Sequence, residues 1–156
     1  MKNPNPILAH FENGTLLRKE WGDGRERACL LAALAPEVGV QKTASACPAS
    51  VMPQWLAHLT PWMDDSGSDA AWPAMVQRYA AVSQRWSVLT PEQWAKAERD
   101  VKIAIVEEAV SHVTVDEWGV RKACEAVIEA LKSGDAAARA YAAARARRAA
   151  AAAADA

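Results

Sequence analysis

The sequence predicts an all-α single domain, a helical bundle of five to seven helices that ends in an alanine-rich helix. Three observations carry this expectation. Sustained alternation of β-branched residues is nearly absent, apolar residues recur at helical spacing between proline and glycine breaks, and one helix-start pattern occurs twice. At 156 residues the chain suits one domain that buries a core without metal or disulfide staples. The expected division is a helical core over 1–134 and an Ala/Arg-rich helix or tail over 135–156.

Asn5 before Pro6 reads as an N-cap with proline at the first helical position. Ile7, Leu8 and Phe11 follow on one face before Asn13-Gly14 ends the helix. A second helix is expected from Asp23, boxed by Glu26, with Cys29, Leu30, Ala33 and Leu34 as its stripe up to Pro36. Residues 38–50 show no period and read as a loop. Pro53 and Pro61 should divide the next region into short helical pieces, because proline fits a first turn or a break. The acidic run from Asp64 to Asp69 reads as a solvated connection. Beyond it Trp72, Tyr79 and Trp86 fall at i, i+7 and i+14 and give a helix ending near Arg85 an aromatic stripe.

The repeated start is Leu89-Thr90-Pro91-Glu92-Gln93-Trp94 and Val113-Thr114-Val115-Asp116-Glu117-Trp118. Each has a threonine N-cap, Gln or Glu three residues later, and an apolar N′ residue placed to pack on tryptophan at N4: a capping box with a hydrophobic staple. The first helix should run to about His112, with Ala97, Val101, Ala104, Ile105 and Glu108 following Trp94. The second should run to about Lys132, with Cys124, Val127, Ile128 and Leu131 following Trp118, and Gly134 as its stop. Asp135 can cap a last helix in which alanine is interrupted by Arg139, Tyr141, Arg145, Arg147 and Arg148. With seven Trp, one Phe and two Tyr, the core should be built around indoles.

A net charge of −1 offers nothing that attracts a polyanion, so nucleic acid is disfavoured as the main partner. No apolar run outside the alanine tail reaches the ~18 residues of a membrane span, and the N-terminus carries no leader-like stretch, which points to a cytoplasmic protein. Three widely spaced cysteines, Cys29, Cys47 and Cys124, read as reduced thiols, with Cys47 in its loop the accessible one. No cofactor and no small-molecule ligand is implied.

Zinc sites offer close pairs such as C-x-x-C, and Cys29, Cys47, His58, His112 and Cys124 contain none. Glu107, Glu108 and His112 miss the Glu-x-x-His spacing of helical di-iron centres, so Glu108 and His112 read instead as an i, i+4 surface pair. Asp64, Asp65 and Asp69 lack the register of a calcium loop. No metal site and no catalytic residue is therefore assigned. Arg78, Tyr79, Arg85 and Trp86 interleave cations with aromatics as single-strand binders do, but the shared heptad face favours packing.

The segment from Ala136 to Ala156, with the tryptophan-rich and alanine-rich helices before it, resembles small uncharacterised phage and prophage proteins. Their C-terminal parts are alanine repeats broken by Arg, Tyr, Trp or Asp. The resemblance implies a non-enzymatic protein-binding accessory factor, a phage-encoded modulator or inhibitor of a host defence complex. Apart from the resemblance, which transfers no residue, a near-all-alanine helix can approach another backbone closely and its arginines can pair with carboxylates. Arg139, Tyr141, Arg145, Arg147 and Arg148 are therefore the expected partner-binding residues, docking on an acidic surface of a protein partner or of another copy of the chain. Two other readings stand beside it: a small enzyme whose site assembles only in three dimensions, from Cys47, His58, Asp64 and Asp65, and a self-assembling structural protein.

Overall fold

A computed structural model describes residues 5–114 and 119–136, with 140, 142–144, 146 and 147 of the segment beyond. The fold is all-α. Among the described residues it comprises α1 (Pro6–Glu12), α2 (Leu30–Leu34), α3 (Pro36–Gln41), α4 (Gln54–Asp65), α5 (Trp72–Ser83), α6 (Pro91–Ser111) and α7 (Val120–Ser133), with 3-10 turns at Ala44–Ala46 and Trp86–Val88. The described residues of the alanine-rich segment are also helical. Two compact units emerge, residues 1–90 and 91–156. The aromatic-striped α5 belongs to the first, and α6 and α7 to the second.

In the first unit α2 is central: α1, α3 and α4 all pack on it, and α1 also packs on α5. Asn5 caps α1 as its sequence implies, its Oδ1 accepting from the Ile7 N–H at 2.9 Å, and its amide donates onward to the Ala80 carbonyl of α5 at 2.8 Å. Leu30, Leu31, Ile7, Val38, Met52 and Val76 form the sealed centre. The expected indole core is therefore corrected. Of the tryptophans described only Trp86 is buried, and the sealed centre around α2 is filled by aliphatic side chains and Met52 instead. The aromatic stripe forms in part: Trp72 and Tyr79 share α5, which ends at Ser83, while Trp86 follows on a 3-10 turn and meets Tyr79 edge to face at 5.3 Å, and Trp72 meets Phe11 of α1 at 5.8 Å.

Three further expectations are corrected here. The second helix begins at Leu30, not Asp23: the Asp23 carboxylate accepts the N–H groups of Arg25, Glu26 and Arg27, closing a turn, and Ala28 pairs in extended form with Leu16 and Gly22. Residues 38–50 hold the last residues of α3 and a 3-10 turn; α3 lies so close to the turn at Gly24 that a Cβ on Gly39 would come within 2.4 Å of the Gly24 nitrogen. And α4 runs unbroken through Pro61. Its buried residues Leu56, Ala57, Thr60 and Asp64 form one i, i+4, i+8 face, and burying that face outweighs the lost Pro61 hydrogen bond, a penalty of about 3 kcal/mol.

In the second unit α6 packs on α7. The helix starts at Pro91 directly after Thr90, where the first capping box places it. Its half-buried positions are Trp94, Ala97, Glu98 and Val101, then Ile103, Val106 and Val110, so Ala104, Ile105 and Glu108 of the expected stripe lie exposed. At 100° per residue the two sets lie on opposite sides of the helix, which a single stripe cannot describe. The second capping box falls largely on residues 115–118, outside the described residues. Gly119 beside it is left-handed at φ 68°, so α7 is no continuation of a helix from Thr114 but starts at Val120. Glu108 and His112 do pair, Nε2 to Oε1 at 3.0 Å.

Candidate functional site

A polar recess of the first unit opens where α4 ends. Arg18, half-buried in the segment after α1, reaches across and donates to the carbonyls of Asp64 (2.9 Å), Asp65 (3.3 Å), Ser66 (2.6 Å) and Gly67 (2.8 Å), and it pairs with the Asp69 carboxylate. A forked guanidinium thus satisfies the carbonyls that a helix end leaves bare and complements its negative dipole end. The next residue, Lys19, adopts φ 66° and points its N–H at the Asp65 Oδ1, 2.7 Å away.

Beneath lies Asp64, only 2% exposed, so the solvated connection expected over 64–69 is corrected at its first residue. Its carboxylate accepts from the Trp72 indole N–H at 2.8 Å and faces the Leu30 N–H at 3.4 Å, tying the end of α4 to the starts of α5 and α2. Burial pushes this carboxyl above the usual carboxylate range; the bonds from Trp72 and Leu30 and the Arg18 charge pull the other way, and Asp65 adds repulsion. Beside it Cys29 caps α2, its sulfur 3.4 Å from the Ala32 N–H, and burial raises its thiol pKa. Thr60 completes the wall, sharing a 2.5 Å hydrogen bond with the Tyr79 hydroxyl and donating to the Leu56 carbonyl.

These groups line a cleft of about 90 Å³ whose rim is Lys19, Glu20, Trp21, Pro61 and Asp65. An adjoining depression shares Pro61 and Asp65 and adds Trp62 and Ser66. Trp62 is 75% exposed, the largest side chain that the described residues leave open to solvent.

The residues weighed for an enzyme differ in their surroundings, and only Asp64 and Asp65 of them line the cleft. Cys47 is not the accessible thiol its loop implied: it is 2% exposed, and burial followed by the Glu37 charge raises its pKa, so it holds its proton. His58 is exposed on α4, 3.4 Å from the Ser45 hydroxyl, while Asp64 is enclosed and Asp65 faces solvent. The Cys47 thiol is enclosed and protonated and the Asp64 carboxylate is occupied by hydrogen bonds, which removes these two as nucleophile and base. Among the described residues no three His, Cys, Asp or Glu side chains gather as metal ligands, and no helix is long and apolar enough to cross a membrane.

Of the residues assigned to a partner, Arg147 is exposed; Arg139, Tyr141, Arg145 and Arg148 lie outside the described residues. In the same segment Ala142 is buried, and with Ala143 it lines an apolar groove of about 340 Å³ together with Ile105, Val106, Val127 and Leu131. Arg18, Lys19, Glu20, Trp21 and Trp62 were not singled out by sequence. The available signal was a run of charge ending in tryptophan, Arg18-Lys19-Glu20-Trp21, and a tryptophan directly before an acidic helix end. No protein-family model matches the chain, and no curated protein or solved structure is significantly similar to it.

Proposed function

We propose that the chain is a non-enzymatic cytoplasmic accessory factor that acts by binding another protein, with the end of α4 as its principal contact surface. One observation carries the reading. Trp62 stands 75% exposed on a helix whose opposite face is sealed, beside a depression shared with Pro61, Asp65 and Ser66. An indole held open to water on a rigid element, next to a concavity, is the composition typical of a binding hot spot. The protonated, enclosed thiols and the tied carboxylate support binding over catalysis. The compositional resemblance to phage and prophage proteins favours a host complex as the target, and the arginines at 139, 145, 147 and 148 would add a second, charged contact.

Affinity capture from host lysate with the unaltered chain, with Trp62→Ala and with a chain lacking residues 135–156 tests this, each capture being repeated with the purified partner. Trp62→Ala should keep its melting temperature and lose about tenfold or more in affinity. A partner bound equally by the unaltered chain and both variants would overturn the assignment.

A further inference from the structure

Resting on that reading, the chemistry of the α4 surface narrows what it receives. Trp62 and Asp65 are three residues apart on the last turn of α4, hence neighbours on one helical face, and both line the same depression. Asp65 commits one oxygen to the Lys19 N–H, and among the described residues no other hydrogen bond or ion pair occupies the second. Glu20, on the rim of the adjoining cleft, is exposed and likewise unpaired among the described residues. The Lys19 ammonium is the one cation on that rim; Arg18 is consumed by backbone carbonyls and Asp69. The depression therefore presents an open aromatic face, a half-used carboxylate beside it and a second carboxylate next door. An apolar side chain would use only the indole, and an anion would meet two carboxylates.

We propose that this surface binds its protein partner through an arginine side chain. The guanidinium would stack flat on the Trp62 indole while its N–H groups fork to the free oxygen of Asp65, with Glu20 adding attraction from the rim. Arginine suits the site better than lysine because a planar, weakly hydrated cation can use the ring face and the carboxylate together.

The test follows the Trp62 indole N–H in ¹⁵N spectra, assigned by its disappearance in Trp62→Ala, during titration with capped Gly-Arg-Gly, Gly-Lys-Gly and Gly-citrulline-Gly. The arginine peptide should shift the resonance saturably, the lysine peptide less, and citrulline, which keeps the shape without the charge, not at all. Asp65→Asn retains an acceptor for the Lys19 N–H and should weaken the arginine response about threefold or more, with Glu20→Gln weaker in effect. A resonance that stays still, moves equally with citrulline, or titrates unchanged in Asp65→Asn overturns the proposal. A captured partner that needs Trp62 but tolerates Asp65→Asn and Glu20→Gln overturns the arginine and leaves the binding reading standing. Self-association abolished both by Asp65→Asn and by removal of residues 135–156 overturns the separate partner in favour of a second copy.

Discussion

Asp64 offers the sharpest test of how the first unit is held. Replacing it with alanine removes the acceptor of the Trp72 indole N–H at 2.8 Å and the group facing the Leu30 N–H at 3.4 Å. Leu30 is fully buried, so its N–H gains no replacement from water, whereas Trp72 is half-buried and part of its loss is recovered by solvent. A hydrogen bond to a charged acceptor is worth about 1.5–3 kcal/mol and an orphaned buried donor costs about 1–3 kcal/mol. Allowing for the relieved burial of a charge and for the long second contact, Asp64→Ala should destabilise by about 3 kcal/mol. Urea denaturation followed by tryptophan fluorescence at neutral pH measures this, and a variant within about 0.5 kcal/mol of the unaltered chain would refute the hub, since that is the ordinary scatter of surface substitutions.

The same residue carries a pH signature. Its folded pKa lies above the ordinary value of 3.8, because burial disfavours the charged form. The folded chain therefore holds this proton to higher pH than the unfolded chain. Stability from this group is fully present below the ordinary value and declines as pH rises through the folded pKa. Asp23 runs the other way: backbone N–H groups from Arg25, Arg27 and Glu26 lower its pKa, so its contribution is lost on acidification. Asp64→Asn isolates the first effect. The stability advantage of the unaltered chain over Asp64→Asn should shrink as pH rises from about 4, and a flat or growing difference would contradict the burial argument.

Two other perturbations probe the frame around this hub. Gly39→Ala would drive a Cβ to 2.4 Å from the Gly24 nitrogen and 2.7 Å from its Cα, a backbone contact that no rotamer relieves, so destabilisation of about 3 kcal/mol or more is expected in thermal melts; an unaltered melt would show that α3 and the Gly24 turn are not in contact. Arg18→Lys keeps the charge but cannot fork to the carbonyls of residues 64–67, and it should lose about 2 kcal/mol in chemical denaturation, whereas stability equal to arginine would make those bonds irrelevant.

What sequence disclosed follows from the range of the forces involved. The Asn5-Pro6 cap, the Trp72–Tyr79 part of the aromatic stripe and the α6 start after Thr90 are set by neighbours within about a turn or two, and they were legible. The α4 site was not. An aspartate in an acidic run reads as solvated until Arg18, 46 residues earlier, and Trp72 arrive to enclose it. Heptad counting puts Trp55 and Trp62 on one face. Yet the 44–47 segment, hydrogen-bonded to Gln54 and close to His58, covers only the first turns of α4; Trp55 is half-buried there and Trp62, two turns on, is bare. Helical spacing specifies which residues share a face, and only tertiary contacts decide how far along the helix that face is covered.

The backbone at Lys19 connects the hub to the proposed contact surface. A lysine at φ 66° occupies a region that non-glycine residues enter at a cost of about 1 kcal/mol, so neighbouring bonds must outweigh it. On one side the Arg18 guanidinium is fixed by the carbonyls of residues 64–67; on the other, the Lys19 N–H is fixed by Asp65 at 2.7 Å. Both anchors belong to the last turn of α4 and the chain directly after it, and Asp64 beneath them is fixed by Trp72 and Leu30. The left-handed turn is thus the geometry that lets two consecutive residues, Arg18 and Lys19, grip one helix end through a side chain and a backbone N–H. It also places Glu20 and Trp21 on the rim of the cleft that Pro61 and Asp65 line. A rim built on two chain segments locked through buried groups keeps its charges and its indole in register before any partner arrives. Such preorganisation would let the proposed contact, made by so few side chains, discriminate between cations.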